Sequence, residues 1–156
     1  MRPLSNDLQE FIRLLNAEAV EYLIVGAWAL AFHGRPRYTG AVDILVRREP
    51  ASAARMMRVI EAFGFGKTGV AAADFLRENY VIQLGIEPNR IDLLTGISGV
   101  EFEEGWQSRV AGELGGQTVY FLSRDLLIRN KLASGRDKDI ADARLLERAR
   151  DSHSQA

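Results

Sequence analysis

The spacing of apolar residues divides the chain into helical and extended segments. In the helical segments these residues recur every three or four positions, as at Leu8, Phe11, Ile12 and Leu15, whereas the extended segments are short apolar runs bounded by turn residues. The predicted helices cover residues 6–19, 27–32, 51–63, 123–133 and 137–150. The predicted strands cover residues 22–25, 42–46, 79–85, 90–95, 109–114 and 117–122.

Turn residues indicate how these segments are connected. Gly115-Gly116 predicts a tight hairpin between the last two strands, and Pro88-Asn89 favours a turn between the third and fourth. Because helices and strands alternate and the second half contains hairpins, the expected fold is α/β (α+β), a mixed sheet flanked by helices. We expect a single domain over residues 1–150 and a frayed polar tail over residues 151–156.

Composition excludes several classes of site and of partner. The 156 residues are 47% hydrophobic and 26% charged with a formal net charge of -1, so the molecule as a whole does not attract nucleic acid or anionic membranes. The absence of cysteine excludes disulfides and thiolate chemistry, and two histidines are too few for a usual zinc site. With no 18-residue apolar run and no secretory pattern at the N-terminus, the expected location is the cytoplasm.

Two carboxylates lie inside otherwise apolar strands. Asp43 stands within Val42–Val46 and Asp92 within Arg90–Leu94, although a carboxylate in mid-strand is costly to desolvate. If the two strands are neighbours, the pair could hold a magnesium-type ion. The alternative is that both are structural ion pairs, Asp43 with Arg37 and Asp92 with Arg90.

A few other residues offer phosphate contacts, each with a plainer alternative. Gly26 between a strand and a helix either admits a phosphate or only permits a tight turn. Arg37 has the geometry for phosphate, while Arg47 and Arg48 are expected on a solvated face. Lys131 follows an apolar helical stretch from which it could reach a triphosphate.

His33, at a helix end, is expected to hydrogen-bond to the backbone rather than to act as a base.

Taken in order, these motifs resemble a known family. They are Gly26-Ala27 after a strand, HGRPRYTGAVD at residues 33–43, RIDLL at residues 90–94, Lys131, and RDKDIAD at residues 136–142. Together they are similar to the small bacterial nucleotidyltransferases of the polymerase-β superfamily, which include toxins of abortive-infection systems and some antibiotic nucleotidyltransferases. The resemblance covers residues 21 to 147.

The resemblance implies a nucleotidyltransferase fold and a set of roles. Asp43 and Asp92 would be catalytic and would bind Mg²⁺, with Asp92 activating an acceptor hydroxyl that attacks the α-phosphate of a nucleoside triphosphate. The acceptor would be a transfer RNA, a protein or a small molecule, and an antitoxin is a candidate partner. The nucleotide-binding positions would be Gly26, Ala27, Arg37, Thr39, Lys131 and Asp139.

Two positions depart from the family pattern. Ala41 stands where the first metal-binding Asp belongs, and Ala27 replaces the second small residue of the phosphate turn. Loss of one such group predicts a rate at least about 10² to 10³ lower. We therefore expect an impaired nucleotidyltransferase, or alternatively an inactive module that binds a nucleotide or a partner such as a toxin-antitoxin component.

Overall fold

A mixed six-stranded sheet forms the centre of the molecule. The computed structural model describes residues 5–35, 39–64 and 69–154. The strands are β1 (Tyr22–Val25), β2 (Ala41–Val46), β3 (Val81–Leu84), β4 (Arg90–Leu94), β5 (Val110–Leu114) and β6 (Gln117–Phe121), in the sheet order β3-β4-β2-β1-β6-β5. The β2–β4 and β1–β6 pairs are parallel and the others antiparallel, which confirms the mixed α/β class.

Helices flank this sheet, and their ends follow local chemistry. They are α1 (Asn6–Ala17), α2 (Gly26–Phe32), α3 (Pro50–Phe63), α4 (Phe102–Gln107), α5 (Arg124–Ser134) and α6 (Asp137–Ser154), with a 3₁₀ helix at Ala72–Leu76. The Oγ atoms of Ser5 and Ser123 cap α1 and α5 by accepting backbone N–H bonds. Gly64 and Gly135 end α3 and α5 in the left-handed conformation, at φ +99° and +72°.

Three features of the helices differ from the sequence prediction. The 3₁₀ helix and α4 were not expected; α4 contains Gly105, which disfavours a helix but is buried here, where a Cβ would lie 2.8 Å from Leu23 Cδ1. Helix α6 continues to Ser154, four residues beyond its predicted end at residue 150. The segment holds no glycine or proline, and each added residue extends the helix by one hydrogen bond.

The core lies between the sheet and the helices packed on it. Every residue of β1 is buried, because β1 is a central strand between β2 and β6. Phe11 and Leu15 of α1 and Met56 of α3 are fully buried in the same cluster. Within the described part of the chain, no helix combines the length and the apolar character needed to cross a membrane.

Candidate functional site

The two strand carboxylates are direct neighbours. Parallel pairing of β2 with β4 places Asp43 opposite Asp92, so both side chains project from the same face of the sheet. Asp92 is 7% exposed, and Asp43 is half-buried. The two strands are neighbours, which the sequence analysis set as the condition for a shared site.

Arg90 holds one of these carboxylates. Its Nε donates to Asp92 Oδ1 at 2.9 Å and its Nη2 donates to Asp92 Oδ2 at 3.1 Å, a two-pronged ion pair within β4. In the sheet register Arg90 lies opposite Ala41, two residues along the strands from the carboxylate pair. The Asp92–Arg90 pairing that the sequence left open is therefore present, whereas Arg37 lies outside the described residues.

Gly26, at the start of α2, occupies a position that favours glycine for two reasons. Its φ is +64°, which disfavours any residue with a Cβ. A Cβ built on Gly26 would also overlap the Asp43 carboxylate and lie 3.0 Å from its Cγ. The absence of a side chain at Gly26 is what lets the Asp43 carboxyl group lie against the start of α2, while Ala27 follows as an ordinary helical residue.

The surroundings of Asp43 disfavour its charged form. Burial, the neighbouring charge of Asp92 and a hydrogen bond with Asp92 raise the pKa of Asp43 to about 6. Arg90 and Lys131 lower it, and they are outweighed. Asp43 therefore titrates near neutral pH, where a carboxylate can both accept and release a proton.

A cleft of about 520 Å³ opens beside Asp43. One wall contains Gly26, Ala27 and Asp43. The opposite wall contains Lys131, Arg136 and Lys138, at the junction of α5 and α6. Asp92 lies beside Asp43 but does not line the cleft, whereas Asp139 does, so the lining holds two carboxylates, Asp43 and Asp139, and three cationic side chains.

Lys131 is a buried cation held by two carboxylates. It is 7% exposed, and its Nζ lies 3.5 Å from Asp139 Oδ1 and 3.3 Å from Asp142 Oδ2. Burial opposes the charge on Asp139, but the Ser134 hydroxyl, Lys131 and Arg136 outweigh burial and lower the pKa of Asp139. The α5–α6 junction is thus a fixed charge network, with Arg136 79% exposed at the cleft.

The other sequence candidates have mixed positions. Thr39 lines the cleft, and its Oγ1 donates to the Ala41 carbonyl at 2.9 Å, where β2 begins. His33 is buried and its Nε2 lies 2.8 Å from the Leu122 carbonyl, as expected for a structural histidine. The expectation of a solvated Arg47 is wrong: its side chain is 19% exposed because it pairs with Glu21 and Glu103.

Arg48 was also expected to face solvent, and its side chain is exposed, beside Glu78.

Asn79 is a cleft residue that the sequence analysis missed. It lines the cleft in a left-handed conformation at φ +49°, and its Oδ1 lies 2.6 Å from the position that a Cβ on Gly96 would take. Asparagine is one of the residues that adopt this conformation most readily. The Glu78-Asn79 step before an apolar run is a sequence signal for such a turn, but it does not indicate a site.

The donor set does not fit a two-magnesium centre. Position 41 is an alanine that is 4% exposed, and both oxygens of Asp92 are hydrogen-bonded to Arg90. Among residues 5–35, 39–64 and 69–154, no three carboxylate or imidazole side chains are grouped as metal ligands. Of the two strand carboxylates, Asp92 is held by Arg90 and Asp43 shares a hydrogen bond with Asp92, where the family resemblance implies several metal-binding carboxylates.

Comparisons with known proteins give no family assignment. No protein-family model matches the chain, and no curated protein matches it significantly.

Proposed function

We propose that the cleft binds the polyphosphate of a nucleoside triphosphate. The observation that carries this proposal is the arrangement of Lys131, Arg136 and Lys138 along one wall of a cleft that opens next to the Gly26 turn. Guanidinium and ammonium groups suit phosphate oxygens, and Arg136 and Lys138 are exposed to reach them. The cavity of about 520 Å³ has the size of a small-ligand pocket.

The balance of charges favours a phosphate over a carboxylate or neutral ligand. Lys131 is already paired with Asp139 and Asp142, so its charge is stabilised without a ligand while it still adds positive electrostatic potential to the cleft. Arg136 shares Asp139 with it and extends towards solvent. A polyphosphate carries enough negative charge to engage Arg136 and Lys138 together, as a single carboxylate cannot.

Nucleotide titration tests this proposal. Calorimetry with ATP, CTP, GTP and UTP should detect binding of at least one of them, and the Arg136→Ala, Lys138→Ala double variant should weaken it about tenfold or more, since tenfold corresponds to about 1.4 kcal/mol. Arg144→Ala is the matched control, because Arg144 is also exposed on α6 but does not line the cleft. Equal affinities of the double variant and the control would refute a phosphate role for this wall.

Nucleotidyl transfer is the second candidate, favoured by Asp43. Its pKa of about 6 suits a group that takes the proton of an acceptor hydroxyl while the hydroxyl oxygen bonds to the α-phosphorus and pyrophosphate leaves. Asp43 lines the cleft whereas Asp92 does not, so Asp43 is better placed for this role. No step is assigned to magnesium, since the donor set does not fit a two-ion centre.

A labelled triphosphate separates transfer from binding alone. Incubation with transfer RNA, protein and small-molecule fractions should give a slow labelled product that Asp43→Asn abolishes while nucleotide binding persists. Binding with no product in any fraction supports the inactive nucleotide-binding module instead.

A further inference from the structure

The feature that the proposed function leaves unused is the guanidinium of Arg90 beside the carboxylate pair. It forms two hydrogen bonds to Asp92, at 2.9 and 3.1 Å, and its positive charge also acts on Asp43. A fork of this kind occupies both oxygens of the carboxylate at once. Those oxygens are the groups that a hard divalent ion would need.

The sheet register explains how an arginine fits at this place. Ala41 and Asp43 on β2, and Arg90 and Asp92 on β4, are two residues apart on neighbouring parallel strands, so the four side chains form a square on one face of the sheet. Ala41, directly opposite Arg90, is the smallest member of the square, and it adds no carboxylate to compete for the guanidinium. The charges of the square are two carboxylates and one guanidinium.

A second carboxylate fixes Arg90 from its other side. Arg90 Nη1 lies 3.6 Å from Glu87 Oε1, in the turn before β4. Gly40 makes room for that carboxylate, because a Cβ on Gly40 would lie 2.5 Å from Glu87 Cγ and would overlap the carboxyl group. Arg90 is therefore anchored between Glu87 and Asp92.

We propose that Arg90 is a built-in cation that takes the place of a divalent ion beside Asp92, so that the carboxylate pair does not bind metal while Arg90 is there. A divalent ion added next to Arg90 would bring three positive charges against two carboxylates, one of which has both oxygens engaged. The cleft is then a nucleotide site that works without a metal bridge to the protein. This last consequence rests on the proposed nucleotide binding, but the exclusion of metal does not.

Manganese binding without nucleotide tests the exclusion directly. Free Mn²⁺ is followed by electron paramagnetic resonance at pH 8, above the pKa of Asp43. If the wild-type chain binds any Mn²⁺, the Asp92→Asn substitution should not reduce that binding. Arg90→Gln should bind Mn²⁺ at least tenfold more tightly than the wild type does. Adding Asp92→Asn to Arg90→Gln should abolish this gain.

Arg58→Gln is the matched control. Arg58, on the surface of α3, also pairs with a carboxylate, through a single contact of 2.8 Å from its Nε to Glu18, and its removal should leave Mn²⁺ binding unchanged. Two outcomes overturn the proposal. In the first, the wild type binds Mn²⁺ as tightly as Arg90→Gln does and loses this binding on Asp92→Asn. In the second, Arg90→Gln is folded by circular dichroism but binds Mn²⁺ no more tightly than the wild type.

The wild-type chain gives a decisive measurement even if Arg90→Gln does not fold. The affinity for ATP should agree within about threefold in magnesium and in EDTA, and loss of binding in EDTA would overturn the metal-free site. Absence of ATP binding under both conditions would refute the proposed function instead, and in that case the comparison of wild type with Asp92→Asn in Mn²⁺ still decides on Arg90.

Discussion

At the scale of single residues, the candidate site depends on side chains that are absent as much as on those present. Gly26 leaves room for the Asp43 carboxyl group, and Gly40 leaves room for Glu87. Ala41 leaves Arg90 without a carboxylate opposite it. The two glycines thus make room for carboxylates, while the alanine leaves the guanidinium of Arg90 to Asp92 and Glu87.

The Gly26–Asp43 contact predicts strong coupling between two substitutions. Gly26→Ala should destabilise the fold by about 2 to 4 kcal/mol, because it adds left-handed strain to an overlap with the carboxylate. In an Asp43→Ala background the overlap disappears and only the strain, about 1 to 2 kcal/mol, should remain. Urea unfolding of the four proteins measures the coupling, and additive effects would show that the two residues do not touch.

The raised pKa of Asp43 predicts a stability that depends on pH. In the folded state Asp43 holds its proton up to about pH 6, whereas in the unfolded state it releases it near 3.8, so the free energy of unfolding falls as pH rises through this window. Asp43→Asn removes the effect. In EDTA, the difference in free energy of unfolding between Asp43→Asn and the wild type should therefore shift in favour of the variant by about 1 to 3 kcal/mol between pH 4 and pH 8.

The groups that face Asp43 define the control for this measurement. Asp92 raises its pKa, while Arg90 and Lys131 lower it. Asp7→Asn, at an exposed position of α1, is the matched control for the replacement of one carboxylate by an amide. A gain for Asp43→Asn that is constant with pH would contradict the raised pKa.

At the scale of elements, periodicity predicted every strand and the longer helices to within a few residues. It failed where tertiary contacts outweigh local preference, as at α4, where the buried Gly105 packs against Leu23 and Leu122. It also missed the turn before β3, since the left-handed backbone at Asn79 depends on the packing of its side chain against Gly96.

The turn at Asn79 predicts opposite effects of two small substitutions. Asn79→Gly should leave stability unchanged or raise it slightly, because glycine adopts φ +49° without strain, whereas Asn79→Ala should cost about 1 kcal/mol. Ala19, at φ +55°, is the matched position: Ala19→Gly should stabilise the fold by a similar amount. Equal unfolding midpoints for Asn79→Gly and Asn79→Ala would mean that the turn is not strained.

At the scale of the whole molecule, the cleft joins two parts of the chain that the sequence shows separately. The mid-strand carboxylates indicated one wall, and the charged stretch around Gly135 indicated the other. Whether the two walls meet depends on how α5 packs against α2. Sequence reasoning included the Asp92–Arg90 pair only as an alternative, because adjacency in a strand does not reveal the register that places Arg90 opposite Ala41.

A ligand that touches both walls should stabilise the whole molecule. Binding only to the folded state adds RT ln(1 + [L]/Kd), which is about 2.7 kcal/mol at a hundredfold excess over Kd. ATP at that excess should therefore raise the melting temperature of the wild type, and the Arg136→Ala, Lys138→Ala variant should show a smaller rise at the same concentration. A rise of equal size in both proteins would place the ligand elsewhere.

The cationic wall also has a consequence for how the cleft opens. Lys131, Arg136 and Lys138 all belong to one continuous helical hairpin, whereas Asp43 is fixed within the sheet by hydrogen bonds on both sides. Because the α5–α6 hairpin takes part in no strand pairing, its local unfolding would open the cleft and leave the sheet intact. Ligand entry and release would then be set by the local stability of that segment, and amide exchange in α5 and α6 would report the open state of the cleft directly.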